Sequence, residues 1–169
     1  GDKLGGKVPP RSLIINLCTN TTESIIGYVG FMRRDAVQLL VDETIDPEFL
    51  SCLINIYSPQ YVYLPAVSSY QELGGKVVHS FQAYNLVALN PPKAGDIHPK
   101  LALLLTTSGT TGNPKLVRIS YDNLKANTHA IIESLRLRAD DRAITTMPMS
   151  YSYGLSILNT HLALGASVV

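Results

Sequence analysis

Three short apolar runs recur at near-even spacing in the first part of the chain: Leu13–Leu17, Val37–Val41 and Tyr61–Leu64. Each is rich in β-branched or aromatic residues and continuously apolar, as strands covered on both faces are. The segments between them have helical spacing. Thr22 offers an N-cap ahead of Ile25, Ile26, Val29 and Met32. Asp46 stands before Pro47, a capping side chain followed by the one residue whose missing N–H costs nothing in a first helical turn, and Phe49, Leu50, Leu53, Ile54 and Tyr57 form an apolar face behind it. A strand–helix unit repeating roughly every two dozen residues is the pattern of right-handed βαβ crossovers. The expected fold is therefore α/β: a parallel sheet with helices on both faces. The first strand–helix turn, Cys18-Thr19-Asn20-Thr21-Thr22, lacks the glycine fingerprint of a dinucleotide-binding domain.

Beyond residue 64 the pattern changes. Lys76–Val78 and Leu86–Leu89 read as the extended arms of a short hairpin-like insert, and Asn90-Pro91-Pro92-Lys93-Ala94-Gly95 as the loop that closes it off. Leu101–Leu105 is a strongly apolar strand, expected in the central part of the molecule, and the chain returns through Leu116–Ile119. A helix is expected from about Tyr121 to Leu137, with Ser120 as cap, Asp122 at its positive end, and Leu124, Thr128, Ile131 and Leu135 on one face. Ala143–Met147 reads as a strand and Tyr153–Leu164 as a helix closed by Gly165.

Between those two extended segments lies Thr106-Thr107-Ser108-Gly109-Thr110-Thr111-Gly112-Asn113-Pro114-Lys115. It holds more hydroxyls than a turn between strands requires. Gly109 and Gly112 permit close backbone approach, unpaired backbone N–H groups in such a loop make an anion nest, the hydroxyls donate further bonds, and Lys115 adds a point charge. The combination suits the oxygens of a polyphosphate. It is not a Walker loop, because the glycines are too close together and Asn-Pro precedes the lysine.

The string LLLTTSGTTGNPKLV resembles the phosphate-loop signature of the adenylate-forming superfamily: acyl-CoA synthetases, nonribosomal adenylation domains and luciferases. Leu116–Asn123 is similar to the stretch that follows that loop, and Met147–Gly154 to the family's next motif, usually Pro-Leu-aromatic-His-x-x-Gly. Upstream, Tyr28–Asp42 is similar to an early helix–strand element. The resemblance runs over roughly residues 13–169 and is specific from about residue 101. It implies a carboxylic acid:thiol ligase that uses ATP with Mg²⁺ to make an acyl-adenylate, then passes the acyl group to CoA or a phosphopantetheine thiol. Thr106, Thr107, Ser108, Gly109, Thr110, Thr111, Gly112 and Lys115 would bind the nucleotide phosphates; Tyr151, Tyr153 and Gly154 would border the substrate pocket. Tyr151 stands where the family most often has His, so a side chain that stacks and donates replaces one that can carry a positive charge.

The same resemblance divides the chain into a polar lead-in (1–12), a first α/β subdomain with its insert (13–95), and a phosphate-loop segment that begins a second subdomain (96–169). The chain is expected to be a piece of a longer protein, inactive alone, because the family's ribose-holding Asp, metal-binding Glu and catalytic Lys belong to later segments. The alternative is a non-catalytic nucleotide- or carrier-binding module of the same fold. A small carboxylic acid is the expected partner, with an acyl carrier protein as a possible second.

With 14 basic against 13 acidic residues and no block of like charge, a nucleic-acid surface is not expected. No apolar run reaches the ~20 residues of a membrane span. Cys18 and Cys52 sit in apolar segments and read as buried thiols, which fits a cytoplasmic protein. The four histidines, His79, His98, His129 and His161, have no metal-ligand spacing, so no metal site is expected.

Overall fold

The computed structural model describes residues 1–68, 70, 73–90, 96–106 and 115–169. Its main feature is a seven-stranded sheet. Strands β1 (Leu13–Cys18), β2 (Val37–Asp42) and β3 (Tyr61–Pro65) alternate with helices α2 (Thr22–Met32) and α3 (Pro47–Tyr57), after a short α1 (Asp2–Gly5). A hairpin follows, β4 (Lys76–Phe81) and β5 (Tyr84–Ala88), then β6 (Leu101–Thr106) and β7 (Leu116–Ser120). The chain continues through α4 (Tyr121–Leu135), β8 (Arg142–Ala143), α5 (Ser152–Leu164) and β9 (Ser167–Val168).

The sheet order is β4-β5-β3-β1-β2-β6-β7. The four inner strands β3, β1, β2 and β6 run parallel, as the crossover pattern predicts. The two flanks are antiparallel: β5 pairs with β3, β4 with β5, and β7 with β6. The hairpin arms are longer than the sequence suggests, because β4 is an edge strand whose exposed face carries no apolar pattern. Strand β6 is buried as expected but lies one strand in from the edge, since its hairpin partner β7 takes its outer side.

Alternate residues of β1 serve opposite layers. Leu13, Ile15 and Leu17 join Leu39, Val41, Leu50 and Leu53 on the α3 side. On the other side Ile14 packs with Leu4, Phe31 and Tyr63, and Cys18 with Tyr28, Leu155 and Leu158. Helix α3 thus covers one face, and α1, α2 and α5 the other. The lead-in is part of this packing, with Leu4 and Val8 each 2% exposed.

Helix ends differ in detail from expectation. The N-cap of α2 is Thr21, not Thr22, and its side chain makes no capping bond. Asp46 does cap α3, accepting from the Glu48 and Phe49 amides at 3.0 Å. Ser120 caps α4 within a capping box completed by Asn123. Helix α4 ends at Leu135, not Leu137, because Arg136 turns left-handed at φ 52°; of its expected apolar face only Thr128 is buried, and Leu135 is 67% exposed. The strand expected over Ala143–Met147 stops at Ala143. Beyond it the Thr145 amide donates to the Val169 carbonyl.

Candidate functional site

In a parallel sheet the carboxyl ends of the strands share one edge, where the turns into the crossover helices leave side chains and backbone groups uncommitted. Here that edge carries Thr19–Thr21 after β1, Glu43–Ile45 after β2 and Ala66 onward after β3. Because α2 and α3 cover opposite faces, the chain leaves β1 and β2 in opposite directions and a crevice opens between their ends. A cleft of about 570 Å³ lies there, bounded by Leu17, Glu43, Ile45, Pro65 and Tyr70.

Thr106 ends β6 on this same edge and pairs with Leu116, the first residue of β7. Lys115 stands immediately before that pair and is exposed. The two ends of the hydroxyl-rich string are therefore held side by side by the antiparallel ladder. Thr107, Ser108, Gly109, Thr110, Thr111 and Gly112, with Asn113 and Pro114, lie outside the described residues.

The second predicted element is the start of α5. Tyr151 is its N-cap residue and Tyr153 lies in its first turn; they are 52% and 64% exposed, and Gly154 is buried. No side chain caps α5, so its first amides and the positive end of its dipole are uncommitted among the described residues. A cleft of about 350 Å³ joins the two elements: Leu105 and Val117 from the strand ends, Asn123 and Asn127 from α4, and Ser152 and Ser156 from α5 all line it. The cleft thus joins the strand residues next to the ends of the loop to the first turns of α5, while Tyr151, Tyr153 and Gly154 do not line it.

A set of residues that motif reading passed over organises this edge. The Tyr84 hydroxyl reaches from β5 and donates to the Leu17 carbonyl at 3.0 Å. That commits its proton, so Thr19 donates to the Tyr84 oxygen at 2.8 Å and Thr21 in turn to Thr19 at 2.8 Å. Ser24 accepts from the Thr19 amide at 3.2 Å. Asn20 crosses to the segment before α5, bonding to Thr145, Met147 and Met149. The available signal was the run Thr19–Thr22, four polar side chains where a strand–helix turn needs one cap. Burial pushes the ionisation of Tyr84 upward, against hydrogen bonds from Thr19 and Ser24 that lower it, so the phenol remains a neutral donor.

His129 is exposed, and His161 is buried with Nδ1 2.8 Å from the Ile157 carbonyl oxygen, a contact that requires the proton on Nδ1. Among the described residues no three His, Cys, Asp or Glu side chains gather to hold a metal ion. No described helix is long and apolar enough to cross a membrane.

Residues 6–169 match the family model described as AMP-binding enzyme. The chain is 26% identical to a linear gramicidin synthase of Brevibacillus parabrevis over 98% of its length, and 24% identical to D-alanine–D-alanyl carrier protein ligase of Staphylococcus aureus over 85%. It spans 2% of the first protein and 30% of the second. Among solved structures it superposes on O-succinylbenzoate coenzyme A synthetase of Bacillus subtilis, in complex with AMP, with a TM-score of 0.76 at 18% identity, covering 99% of this chain and 46% of that one.

Proposed function

Because the chain belongs to the AMP-binding enzyme family, we propose that the protein carrying it is an ATP-dependent carboxylic acid:thiol ligase, and that this chain supplies its phosphate grip and one wall of its acyl pocket. The first step joins a carboxylate oxygen of the acid to the α-phosphorus of ATP and breaks the α–β phosphoanhydride bond, releasing pyrophosphate. In the second a thiolate, of CoA or a carrier's phosphopantetheine, attacks the acyl carbon and AMP leaves. Both steps depend chiefly on holding reactants in line and compensating charge on phosphate oxygens.

The observation that carries this reading is the string Thr106–Lys115 in a chain matched by the family over 6–169. Its hydroxyls at Ser108, Thr110 and Thr111 and its backbone at Gly109 and Gly112 would donate to the β- and γ-phosphates. The ladder pair Thr106–Leu116 supports this by fixing where the string leaves and rejoins the sheet. Tyr151, Tyr153 and Gly154 would border the acyl group at the start of α5, beside the cleft that Ser152 lines together with Leu105 and Val117. Mg²⁺ would come to the site on the ATP phosphates, which supply several of its ligands.

The test is acid-dependent ATP–pyrophosphate exchange by the full-length protein across a panel of small carboxylic acids. Thr110→Ala, Thr111→Ala and Gly112→Val should each lower kcat/KM for ATP about ten- to a hundredfold, the loss of one charge-assisted hydrogen bond to phosphate, roughly 1.5–3 kcal/mol. Far-ultraviolet circular dichroism should stay unchanged. Wild-type kinetics in all three variants would reduce the string to a plain turn. Absence of exchange with every acid, alongside measurable ATP binding, would favour a non-catalytic nucleotide-binding module.

A further inference from the structure

The segment Ile144–Ser150 delivers the chain to α5. At its start the Thr145 amide donates to the Val169 carbonyl, and Asn20 binds it from the edge of the main sheet. Its Nδ2 donates to the Thr145 carbonyl at 2.9 Å and the Met147 carbonyl at 3.1 Å, and its Oδ1 accepts from the Met149 amide at 3.2 Å. One primary amide thus supplies two donors and an acceptor, as a neighbouring strand would.

Asn20 is itself held from both sides. Thr19 and Thr21 are tied to Tyr84. Ser24 accepts from the Thr19 amide and its hydroxyl lies 3.5 Å from the Met149 sulfur. The other side of the clamped segment is the floor of α5. A Cβ on Gly154 would come within 2.3 Å of the Pro148 carbonyl oxygen and 2.6 Å of that of Met147. The Tyr151 amide donates to the same Pro148 carbonyl at 3.1 Å. Where the backbone of Met147 and Pro148 lies therefore decides where α5 starts and where Tyr151 and Tyr153 stand.

We propose that Asn20 is a positioning residue for the Tyr151–Gly154 wall, acting through the backbone of residues 145–149 without touching substrate. The assignment of that wall to the acyl group rests on the function proposed above. The hydrogen-bond clamp does not, and the two parts are tested separately.

Asn20→Ala removes all three bonds. Asn20→Asp keeps the size and the acceptor for Met149 but turns a carboxylate toward two carbonyl oxygens. In the full-length protein, hydrogen exchange at the Met149 and Tyr151 amides should quicken about tenfold or more in both variants, as expected for losing two or three bonds of ordinary strength, while Ile15 and Leu39 in the central ladder keep their protection. In pyrophosphate exchange, KM for the acid should rise about tenfold while KM for ATP holds, a split that simple loss of folded enzyme does not produce. Unchanged exchange at Met149, or loss of protection at Ile15 and Leu39 in both variants, would overturn the clamp. Faster local exchange with an unaltered acid KM would overturn its positioning role. Faster local exchange in a protein whose wild type activates no acid would keep the clamp and remove the proposed function.

Discussion

At the residue scale, the two cysteines separate into different environments. Cys18 ends β1 at 1% exposure, with its thiol 3.3 Å from the Asn16 carbonyl oxygen; burial pushes its ionisation far above the ordinary thiol range, and the nearby Asp42 charge pushes it the same way. Cys52 sits on α3 and is half-buried, less covered than its apolar surroundings in the sequence suggest. The thiolate is the reactive form, so Cys18 should be inert while the fold stands. Iodoacetamide at neutral pH should modify only Cys52 in the folded chain and both thiols in denaturant, as read by intact mass and peptide mapping. Modification of Cys18 at a rate matching Cys52 would contradict this burial. The sequence is a good guide wherever a side chain acts locally: Asp46 and Ser120 cap their helices as their positions predict. It gives no hint of what Asn20 binds, since its partners lie 125 to 129 residues further along the chain. No local pattern encodes such a contact.

At the scale of elements, legibility follows burial. Strands covered on both faces announce themselves as largely apolar runs. Strands β1 and β2 each bury one amide, Asn16 and Gln38, yet with β3 and β6 they are readable for that reason. Edge elements are not. The hairpin arms run past their apolar residues, because an exposed edge strand carries no defining run. Helix α2 shows a further constraint that the sequence leaves implicit. Gly27 lies against Tyr63, and a Cβ there would come 2.2 Å from the ring edge. The ring has no room to withdraw: it is fully buried, packs edge-on against Phe31 at 5.3 Å and beside Tyr84 at 4.7 Å, and its hydroxyl donates to the Glu23 carbonyl. Alanine is the better helix former by up to about 1 kcal/mol, but overpacking a closed site costs typically about 1–3 kcal/mol or more. Gly27→Ala should therefore destabilise the fold in urea unfolding, and the loss should shrink when Tyr63→Leu is made alongside it, since contacting residues do not add. A midpoint equal to or above wild type would show that Tyr63 yields.

At the scale of the whole molecule, the family and the parallel core are legible because both live in contiguous segments, the strand runs and the string from Thr106 to Lys115. The antiparallel flanks and the joining of β1, β5 and residues 145–149 at one edge are not, since they arise from how layers close over the sheet. That closure has a measurable consequence at high pH. Burial raises the ionisation of Tyr28, Tyr63, Tyr84 and Tyr121, the last to about 12, and that of Cys18 as well. In the unfolded chain thiols release their protons near pH 8.5 and phenols near pH 10. The folded chain holds these protons longer, so as pH rises through those values the unfolded state binds fewer protons and stability falls. Cys18 begins to contribute this slope from about pH 7.5, a unit below its unfolded value, and the phenols from about pH 9; below about pH 7 both states are protonated at these groups and they contribute none. The urea midpoint of the full chain should therefore begin to fall gently from about pH 7.5, where Cys18 alone contributes, and should fall steeply from about pH 9 to 11 as the phenols join. Part of the phenolate absorbance at 295 nm should appear only on unfolding. Complete tyrosine titration in the folded chain by pH 10.5, with no drop in the urea midpoint, would mean that these hydroxyls are open to solvent and that the layers over the sheet are far looser than the packing around Tyr28 and Tyr63 describes.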